Sequence, residues 1–254
     1  MRDIGGTRMN RFFAQGEDFA SGFAHVRDAE DIKHISRVLR LKTGDKLLLS
    51  DGEGHEHVCE IVEVGPAGGR VKVLSSRRAE GEPYARVTLY QGLPKAGKLE
   101  LIIQKCVELG VHAVVPMQTH RSVAKAEDGS FSASKQLRYS KIAQEAAKQC
   151  GRGILPQVLP PIQLNKVDLA RHSLVLIADE EEQALTLKQA LRAAEAQSTL
   201  DIAVLVGPEG GFERAEVERI RDMGGVAFTL GKRILRTETA GMAVLAMLLY
   251  ELEG

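Results

Sequence analysis

The sequence lacks closely spaced cysteines. Its three cysteines, Cys59, Cys106 and Cys150, lie far apart among 254 residues, and no two of them form a CxxC pair. Structural zinc sites and disulfide frameworks both need cysteines at short, regular spacings. The spacing therefore argues against either framework, and we expect a protein without a bound metal in a reducing compartment.

The sequence also lacks long apolar runs. No segment approaches the roughly 18 uninterrupted apolar residues that a membrane-spanning helix needs. Residues 1–10 do not contain the apolar stretch of a signal peptide. We therefore expect a cytoplasmic protein without a membrane segment. Its hydrophobic fraction of 44% is enough for an ordinary globular core.

The chain has no net charge, but its charges are unevenly distributed. From Pro94 to Arg152 there are 10 Lys and Arg residues against 5 Asp and Glu, whereas from Asn165 to Gly254 there are 10 against 15. A basic middle segment in a neutral protein is typical of a local site for a polyanion. On charge alone, a solvated helical face explains the segment equally well.

The first third of the chain has the pattern of a β domain. Short apolar or alternating runs at 46–50, 57–64 and 70–74 are separated by turn-forming clusters rich in glycine. Strands this short, joined by tight turns, predict a small barrel or curled sheet. A helical period at 28–41 precedes them.

Strands and helices alternate after residue 82. The predicted strands are 86–91, 113–117, 173–178, 202–207 and 226–230, and the predicted helices are 98–109, 135–149, 181–196, 213–223 and 237–252. This alternation predicts an α/β fold with a mostly parallel sheet covered on both faces. We therefore predict two domains, 1–82 and 83–254, with ligands bound beyond the carboxyl ends of the strands.

Two loops at such strand ends have unusual sequences. The first, GPEGGF at 207–212, has three glycines that let the backbone approach a ligand, and a helix with unpaired amide donors follows it. A plain turn that opens a helix explains this loop equally well. The second, LGKRILRTETA at 230–240, offers apolar side chains, an accessible Gly231 and a helix-capping Thr237. An apolar wall with exposed amides suits an adenine ring.

In this order before a terminal helix, the two loops resemble the cofactor-binding half of SPOUT methyltransferases. More narrowly, they resemble the ribosomal RNA uridine-N3 methyltransferase family, commonly called RsmE. The resemblance continues in NRFF at 10–13, HISRVLR at 34–40, GD at 44–45, QKCVELG at 104–110, THRS at 119–122 and EAAKQCGR at 145–152. One departure is Lys232, where the family often has proline before the arginine that is Arg233 here.

The resemblance implies a PUA-like RNA-binding β-barrel domain at 1–82 and a SPOUT methyltransferase domain at 83–254, with a trefoil knot and the cofactor site within 200–254. It implies a homodimer that transfers a methyl group from S-adenosylmethionine to the N3 atom of a specific uridine in 16S ribosomal RNA, acting on the small ribosomal subunit. The cofactor-binding residues that it implies are Leu205, Gly207, Pro208, Glu209, Gly210, Gly211, Leu230, Gly231, Ile234, Leu235, Arg236, Thr239 and Ala240.

Methylation at N3 requires the uracil ring to lose a proton. We predict that Arg236 stabilises the negative charge that develops on the uracil oxygens. Glu209 and Glu145 are both predicted proton acceptors, and the sequence does not choose between them.

Basic residues within the matched motifs and the basic segment are the predicted RNA contacts. They are Arg11, Arg37 and Arg40 in the first domain, and Lys95, Lys98, Lys105, Arg121 and Arg152 in the basic segment. Contacts to phosphate give affinity and salt dependence without reading sequence. For any single one of them, an ordinary surface charge is the alternative.

Two other functions compete with the methyltransferase hypothesis. The segment GLPKAGK at 92–98 fits the G-x-x-x-x-G-K pattern of P-loop nucleotide-binding proteins, but Leu99 follows where magnesium coordination needs Ser or Thr. The second alternative is a non-catalytic RNA-binding protein whose first domain is the active part. Two ligand-type loops at adjacent strand ends argue against a pure scaffold.

Overall fold

The computed structural model describes residues 3–4, 7–66, 68–95, 97–123, 131–194 and 201–253. Contacts divide the chain into two compact units. The N-terminal unit contains Met1–Glu82 together with Ala147–Leu155, and the C-terminal unit contains Pro83–Ala146 and Pro156–Gly254. Each unit therefore includes two separate stretches of chain.

The N-terminal unit is built on a six-stranded sheet with the order β3-β6-β7-β8-β5-β4. Its strands are β3 (Arg11–Phe13), β4 (Phe19–Ala20), β5 (Phe23–Val26), β6 (Lys46–Ser50), β7 (His55–Gly65) and β8 (Gly68–Arg78), and a separate pair is formed by β1 (Asp3–Ile4) and β2 (Thr7–Arg8). The pairing is antiparallel except between β3 and β6. The register of β7 and β8 shifts at two places, and such bulges bend strands. The predicted curled sheet is confirmed.

Apolar side chains on one side of this sheet form the core of the N-terminal unit. Its fully buried members include Phe12, Leu47, Leu49 and Ile61, and Ile35 from the helical segment packs among them. Burying such side chains stabilises the unit by about 1.5–3 kcal/mol each.

The predicted helix at 28–41 is shorter than expected. Asp28 caps α1 (Ala29–Lys33) by accepting from the backbone N–H groups of Glu30 and Asp31 at 2.9 Å. The chain then widens into a π-helical turn at His34–Val38. The helix ends there, and Arg40 has a φ of +55°, which is outside the right-handed helical region.

The C-terminal unit has a parallel sheet with the order β11-β10-β9-β14-β13-β15, with β12 also paired to β10. Its strands are β9 (Arg86–Gly92), β10 (Ala113–Gln118), β11 (Gln157–Val158), β12 (Ile162–Gln163), β13 (Leu174–Ala178), β14 (Asp201–Val206) and β15 (Val226–Phe228). Its helices are α2 (Lys98–Glu108), α3 (Ala133–Cys150, the last turn of which belongs to the N-terminal unit), α4 (Leu187–Ala193), α5 (Arg214–Asp222) and α6 (Thr237–Glu253).

Helices cover both faces of this sheet. On one face, Val217 and Ile220 of α5 pack with sheet residues such as Tyr90, Ile177 and Leu205. On the other, α6 contacts β9, β14, α2 and α4. The predicted mixed α/β fold with a covered parallel sheet is confirmed. In the described part of the chain, no helix has the length and apolarity needed to cross a bilayer.

The predicted helix at 181–196 is wrong in its first part. Residues 180–185 form a loop, because Glu182 accepts from the N–H groups of Ala184 and Leu185, and α4 begins only after Thr186. Thr186 and Gln189 form a reciprocal capping box that fixes this start. The last two residues of the prediction, 195 and 196, lie outside the described residues.

Candidate functional site

The carboxyl ends of β9 and β14 lie side by side in the middle of the parallel sheet. Gln91 pairs with Val206, so Gly92, the last residue of β9, lies beside Gly207, the first residue after β14. A Cβ atom on Gly92 would collide with the backbone of Pro208. The glycine at 92 therefore permits direct backbone contact between the two loops.

The glycine-rich loop after β14 folds back on itself. Gly211 has a φ of +66°, and its N–H donates to the carbonyl of Pro208 at 3.0 Å. A Cβ atom on Gly207 would lie 3.0 Å from the Cα of Gly211. The tight turn exposes Glu209 and Gly210 while Pro208 stays buried. This loop is therefore a compact turn whose rim, formed by Glu209 and Gly210, is exposed to solvent.

A buried chain of hydrogen bonds ties this loop to α6. The side-chain amide of Gln91 donates to Thr237 Oγ1 at 2.8 Å, and Thr237 Oγ1 donates to the carbonyl of Gly207 at 2.6 Å. All three residues are buried. The first residue of α6 is thus fixed to the start of the glycine-rich loop, which sets the position of Arg236 immediately before it. Gln91 is not recognisable from the sequence, because a single glutamine inside a strand belongs to no pattern of spacing that marks a site.

An ion-pair cluster lies at the rim of the same loop. Lys98 Nζ is 3.0 Å from Glu209 Oε1 and 3.1 Å from Glu238 Oε2. The backbone N–H of Lys95 also donates to the Glu209 carboxylate at 3.1 Å. Burial raises the pKa of Glu209, but the hydrogen bonds from Lys98 and the backbone outweigh it and leave that pKa below its usual range. The Glu209 carboxylate is therefore fixed by Lys98 and the Lys95 N–H, and its lowered pKa makes it poorly suited to accept a proton.

The predicted cofactor residues divide into supporting and accessible groups. Leu205, Gly207, Pro208 and Ala240 are buried, and Leu205 packs in the sheet core. The accessible or partly accessible group comprises Glu209, Gly210, Gly211, Leu230, Gly231, Ile234, Leu235, Arg236 and Thr239. Ile234 is 82% exposed and Leu235 is partly exposed, so this segment offers apolar side chains at its surface. The two segments therefore present backbone and apolar surface beside each other at one sheet edge.

Asp179, at the end of β13, was missed by sequence reasoning. It is buried; its backbone N–H donates to Phe228 of β15, and its Oδ1 accepts from the N–H of Glu181 at 3.1 Å. Among the described residues, its Oδ2 atom is buried without a hydrogen-bond partner. The next residue, Glu180, lies beside Gly211. A lone aspartate after a strand is too common a pattern to have marked this position.

The other predicted proton acceptor, Glu145, is exposed on α3. That helix is a different element from the loops that carry Glu209 and Arg236. Arg236 itself is exposed, and its positive charge helps to lower the pKa of Glu238, after the stronger effects of the Glu238 backbone N–H and of Lys98.

The basic residues fall into three groups. Lys95, Lys98 and Arg121 belong to the site, since Arg121 donates to the carbonyl of Gly210 at 2.9 Å. Arg37 and Arg40 are exposed in the N-terminal unit, and Lys105 pairs with Glu108 on its own helix at 2.9 Å. The third group, Arg11 and Arg152, is largely buried within the N-terminal unit, where Arg11 pairs with Glu56 at 2.7 Å and Arg152 with Glu82 at 2.8 Å.

Comparison with protein-family models assigns both parts of the chain. Residues 80–249 match the RNA methyltransferase domain, and residues 26–74 match the RNA methyltransferase PUA domain. The ribosomal RNA small subunit methyltransferase E of Bacillus subtilis is 36% identical over 228 residues, which cover 88% of this chain and 89% of that enzyme. The enzyme of the same name from Mycobacterium tuberculosis is 33% identical over 89% of this chain and 86% of its own. The chain belongs to the RsmE family of RNA methyltransferases.

Solved structures of methyltransferases have a fold similar to that of this chain. A methyltransferase from Legionella pneumophila, solved with bound S-adenosylmethionine, has a TM-score of 0.83 and 30% identity, covering 96% of this chain and 98% of its own. The ribosomal RNA small subunit methyltransferase E of Neisseria gonorrhoeae, also bound to S-adenosylmethionine, has a TM-score of 0.80 and 28% identity, with the same coverage.

Membership of the RsmE family rules out both competing functions. The P-loop hypothesis is wrong on physical grounds as well, because Lys98 is already paired with two carboxylates and so lies in an acidic environment. A lysine that binds a polyphosphate needs the opposite surroundings. The scaffold hypothesis is wrong because residues 80–249 themselves match the methyltransferase domain.

Proposed function

We propose that this protein transfers a methyl group from S-adenosylmethionine to the N3 atom of a uridine in 16S ribosomal RNA. The observation that carries this proposal is the 36% identity, over 88% of the chain, to an enzyme named ribosomal RNA small subunit methyltransferase E. The motifs in this sequence that resemble the uridine-N3 methyltransferases narrow the reaction to that ring nitrogen. We further propose a cytoplasmic homodimer with a knotted C-terminal domain, and the domain boundary at 82/83.

The residues at the sheet edge fit S-adenosylmethionine. The glycine-rich loop and the exposed Ile234 offer close backbone approach and apolar surface, as an adenine requires. Asp179 Oδ2, which is buried without a hydrogen-bond partner in the part of the chain that the structure describes, adds an acceptor for a hydroxyl or ammonium donor, and the cofactor has both kinds of group. When bound, S-adenosylmethionine supplies a methyl group already activated by its sulfonium. The residues of the chain then have to align the acceptor and exclude water. Alignment lowers the activation barrier by up to roughly 7–11 kcal/mol in ideal cases.

Arg236 is the proposed catalytic residue. Its backbone position is fixed by Thr237, which is anchored to Gly207, while its guanidinium is exposed to an incoming base. A permanently charged donor at this position stabilises the anionic uracil that forms as N3 loses its proton. Glu209 and Glu145 stay the two proposed proton acceptors, and the contacts of Glu209 with Lys95 and Lys98 count against Glu209.

For RNA binding, the proposed contacts are the exposed cations. Arg37 and Arg40 are exposed, Lys105 is partly exposed at the surface beside its partner Glu108, and Lys95 and Arg121 lie beside the cofactor loops. Arg11 and Arg152 are ion-paired inside the N-terminal unit, so we propose that they order this unit instead. A uridine in structured RNA has to leave its stack before its N3 atom is accessible.

The test is to incubate the purified protein with S-adenosylmethionine and small ribosomal subunits that lack the modification, followed by mass spectrometry of the nucleosides. We expect new 3-methyluridine. A different methylated nucleoside would leave the enzyme class intact and overturn the uridine-N3 specificity. Absence of cofactor binding by calorimetry would overturn the proposal as a whole.

A further inference from the structure

Lys98 lies between two carboxylates from different segments of the site. Its ammonium is 3.0 Å from Glu209 in the loop after β14 and 3.1 Å from Glu238 in the first turn of α6. Its side chain is 30% exposed, against 26% for Glu209 and 16% for Glu238, so the cluster is partly exposed to solvent. One positive charge thus bridges the two segments that enclose the proposed cofactor site.

Buried hydrogen bonds also connect the loop of Glu209 to the start of α6. Thr237, the residue before Glu238, bonds to Gly207 and Gln91. The N–H of Lys95 adds a main-chain bond to Glu209, so two donors from the start of α2 hold one carboxylate. The pKa of Glu238 is lowered by its own backbone N–H and by Lys98, and the pKa of Lys98 is raised by its ion pairs with Glu209 and Glu238. All three groups are therefore charged at neutral pH.

We infer that Lys98 is a positioning residue that holds the loop of Glu209 and the start of α6 at the spacing required to bind S-adenosylmethionine, and that it is not an RNA contact. This inference rests on the proposed cofactor site. Without Lys98, the carboxylates of Glu209 and Glu238 lose the cation that lies between them, and the repulsion of these like charges separates the two segments. Lys98 also ends the G-x-x-x-x-G-K pattern, whose last residue is thus explained by carboxylate binding instead of phosphate binding.

The experiment measures the affinity of the whole protein for S-adenosylmethionine by calorimetry, without RNA. We expect K98M to weaken binding about tenfold, within the range of coupling energies in such networks. K98R keeps both ion pairs and is expected to stay within about threefold of wild type. The double variant K98M/E238Q removes the repulsion and is expected to recover most of the lost affinity. K188M is the matched control, since it removes a lysine that pairs with Glu251 from another helix at 2.8 Å.

A turnover measurement separates positioning from a general structural effect. K98M is expected to raise the KM for S-adenosylmethionine while kcat changes little, because the reacting groups remain in place once the cofactor is bound. Melting temperatures and the K98R variant control for folding. If K98M does not fold, K98R and E238Q can still be compared with wild type to test whether the ion pairs of Lys98 support cofactor binding. In that comparison E238Q is expected to bind the cofactor a few-fold more weakly.

Three results would overturn the inference. They are unchanged cofactor affinity in K98M with weakened RNA binding, a gain of cofactor affinity in K98M, and failure of E238Q to rescue K98M. If the wild-type protein binds no S-adenosylmethionine, the proposed function fails before the variants are compared. The two failures are thus distinguishable.

Discussion

The hydroxyl of Thr237 donates to the carbonyl of Gly207 at 2.6 Å while it accepts from the amide of Gln91 at 2.8 Å. One buried hydroxyl therefore connects strand β9, the loop after β14 and the start of α6. Because both of its neighbours are buried, no water is available to replace it if it is removed.

Replacement of Thr237 by valine, which has nearly the same shape, should remove the donor to the buried Gly207 carbonyl and leave the Gln91 amide with its bond to the carbonyl of Gly92 at 3.1 Å. We expect a loss of about 1–3 kcal/mol in the free energy of unfolding, together with weaker binding of S-adenosylmethionine. T237S retains the hydroxyl and is the control. Denaturant titration and calorimetry are the measurements, and equal stability of T237V and T237S would contradict the expectation.

Arg236→Ala should reduce kcat while the dissociation constant for S-adenosylmethionine stays close to wild type. The reason is that the proposed interaction with uracil forms only as charge develops in the transition state. A loss of about 10²–10³-fold is expected for such a donor. R233A, another exposed arginine in the same segment, is the matched control. Equal turnover in R236A and wild type would remove Arg236 from catalysis.

Gly92→Ala should disturb the contact between the two central loops. Its Cβ atom has no space beside Pro208, so either the loops separate or the strand shifts. We expect destabilisation by about 1–3 kcal/mol and reduced cofactor affinity. G16A tests the same substitution where nothing lies within 4 Å of the new Cβ, and it should be close to neutral. Similar melting temperatures for both variants would show that the close approach at Gly92 does not matter.

The three thiols should differ sharply in reactivity. Burial raises the pKa of Cys59 and of Cys106 to about 12, whereas Cys150 is exposed. Because the thiolate is the reactive form, iodoacetamide at pH 8 should modify Cys150 alone in the folded protein and all three cysteines after denaturation. Peptide mass spectrometry measures this. Rapid labelling of Cys106 under native conditions would mean that the core around α2 opens.

The elements with strong local patterns were predictable from the sequence. Strands β13 and β14 contain continuous apolar runs, and the glycines of the loop at 207–211 indicate a turn without reference to the rest of the fold. The helix at 181–196 was misplaced because Glu182 uses its carboxylate to cap a loop, which composition cannot distinguish from an acidic first helical turn.

Side-chain partnerships across the fold were not predictable. Arg11 and Arg152 are of a residue type that is typical of RNA-binding surfaces. Each is nevertheless paired with a glutamate whose position depends on the tertiary structure. Lys98 fitted a phosphate-binding pattern, and only the approach of Glu209 and Glu238 from distant parts of the chain changes its role. Sequence motifs therefore located the site, while the roles of its charged residues required coordinates.

The stretch Ala147–Leu155 belongs to the N-terminal unit, where Glu82 receives the Arg152 guanidinium and the backbone N–H groups of Gly153 and Ile154. During synthesis, the two stretches of this unit are therefore translated at different times, and β9, β10 and α2 are translated between them. Until then Glu82 has neither the cation nor the amide donors that it binds in the finished protein. A gene fragment that stops at codon 82 would therefore encode Glu82 without the three residues that bind its carboxylate in the N-terminal unit.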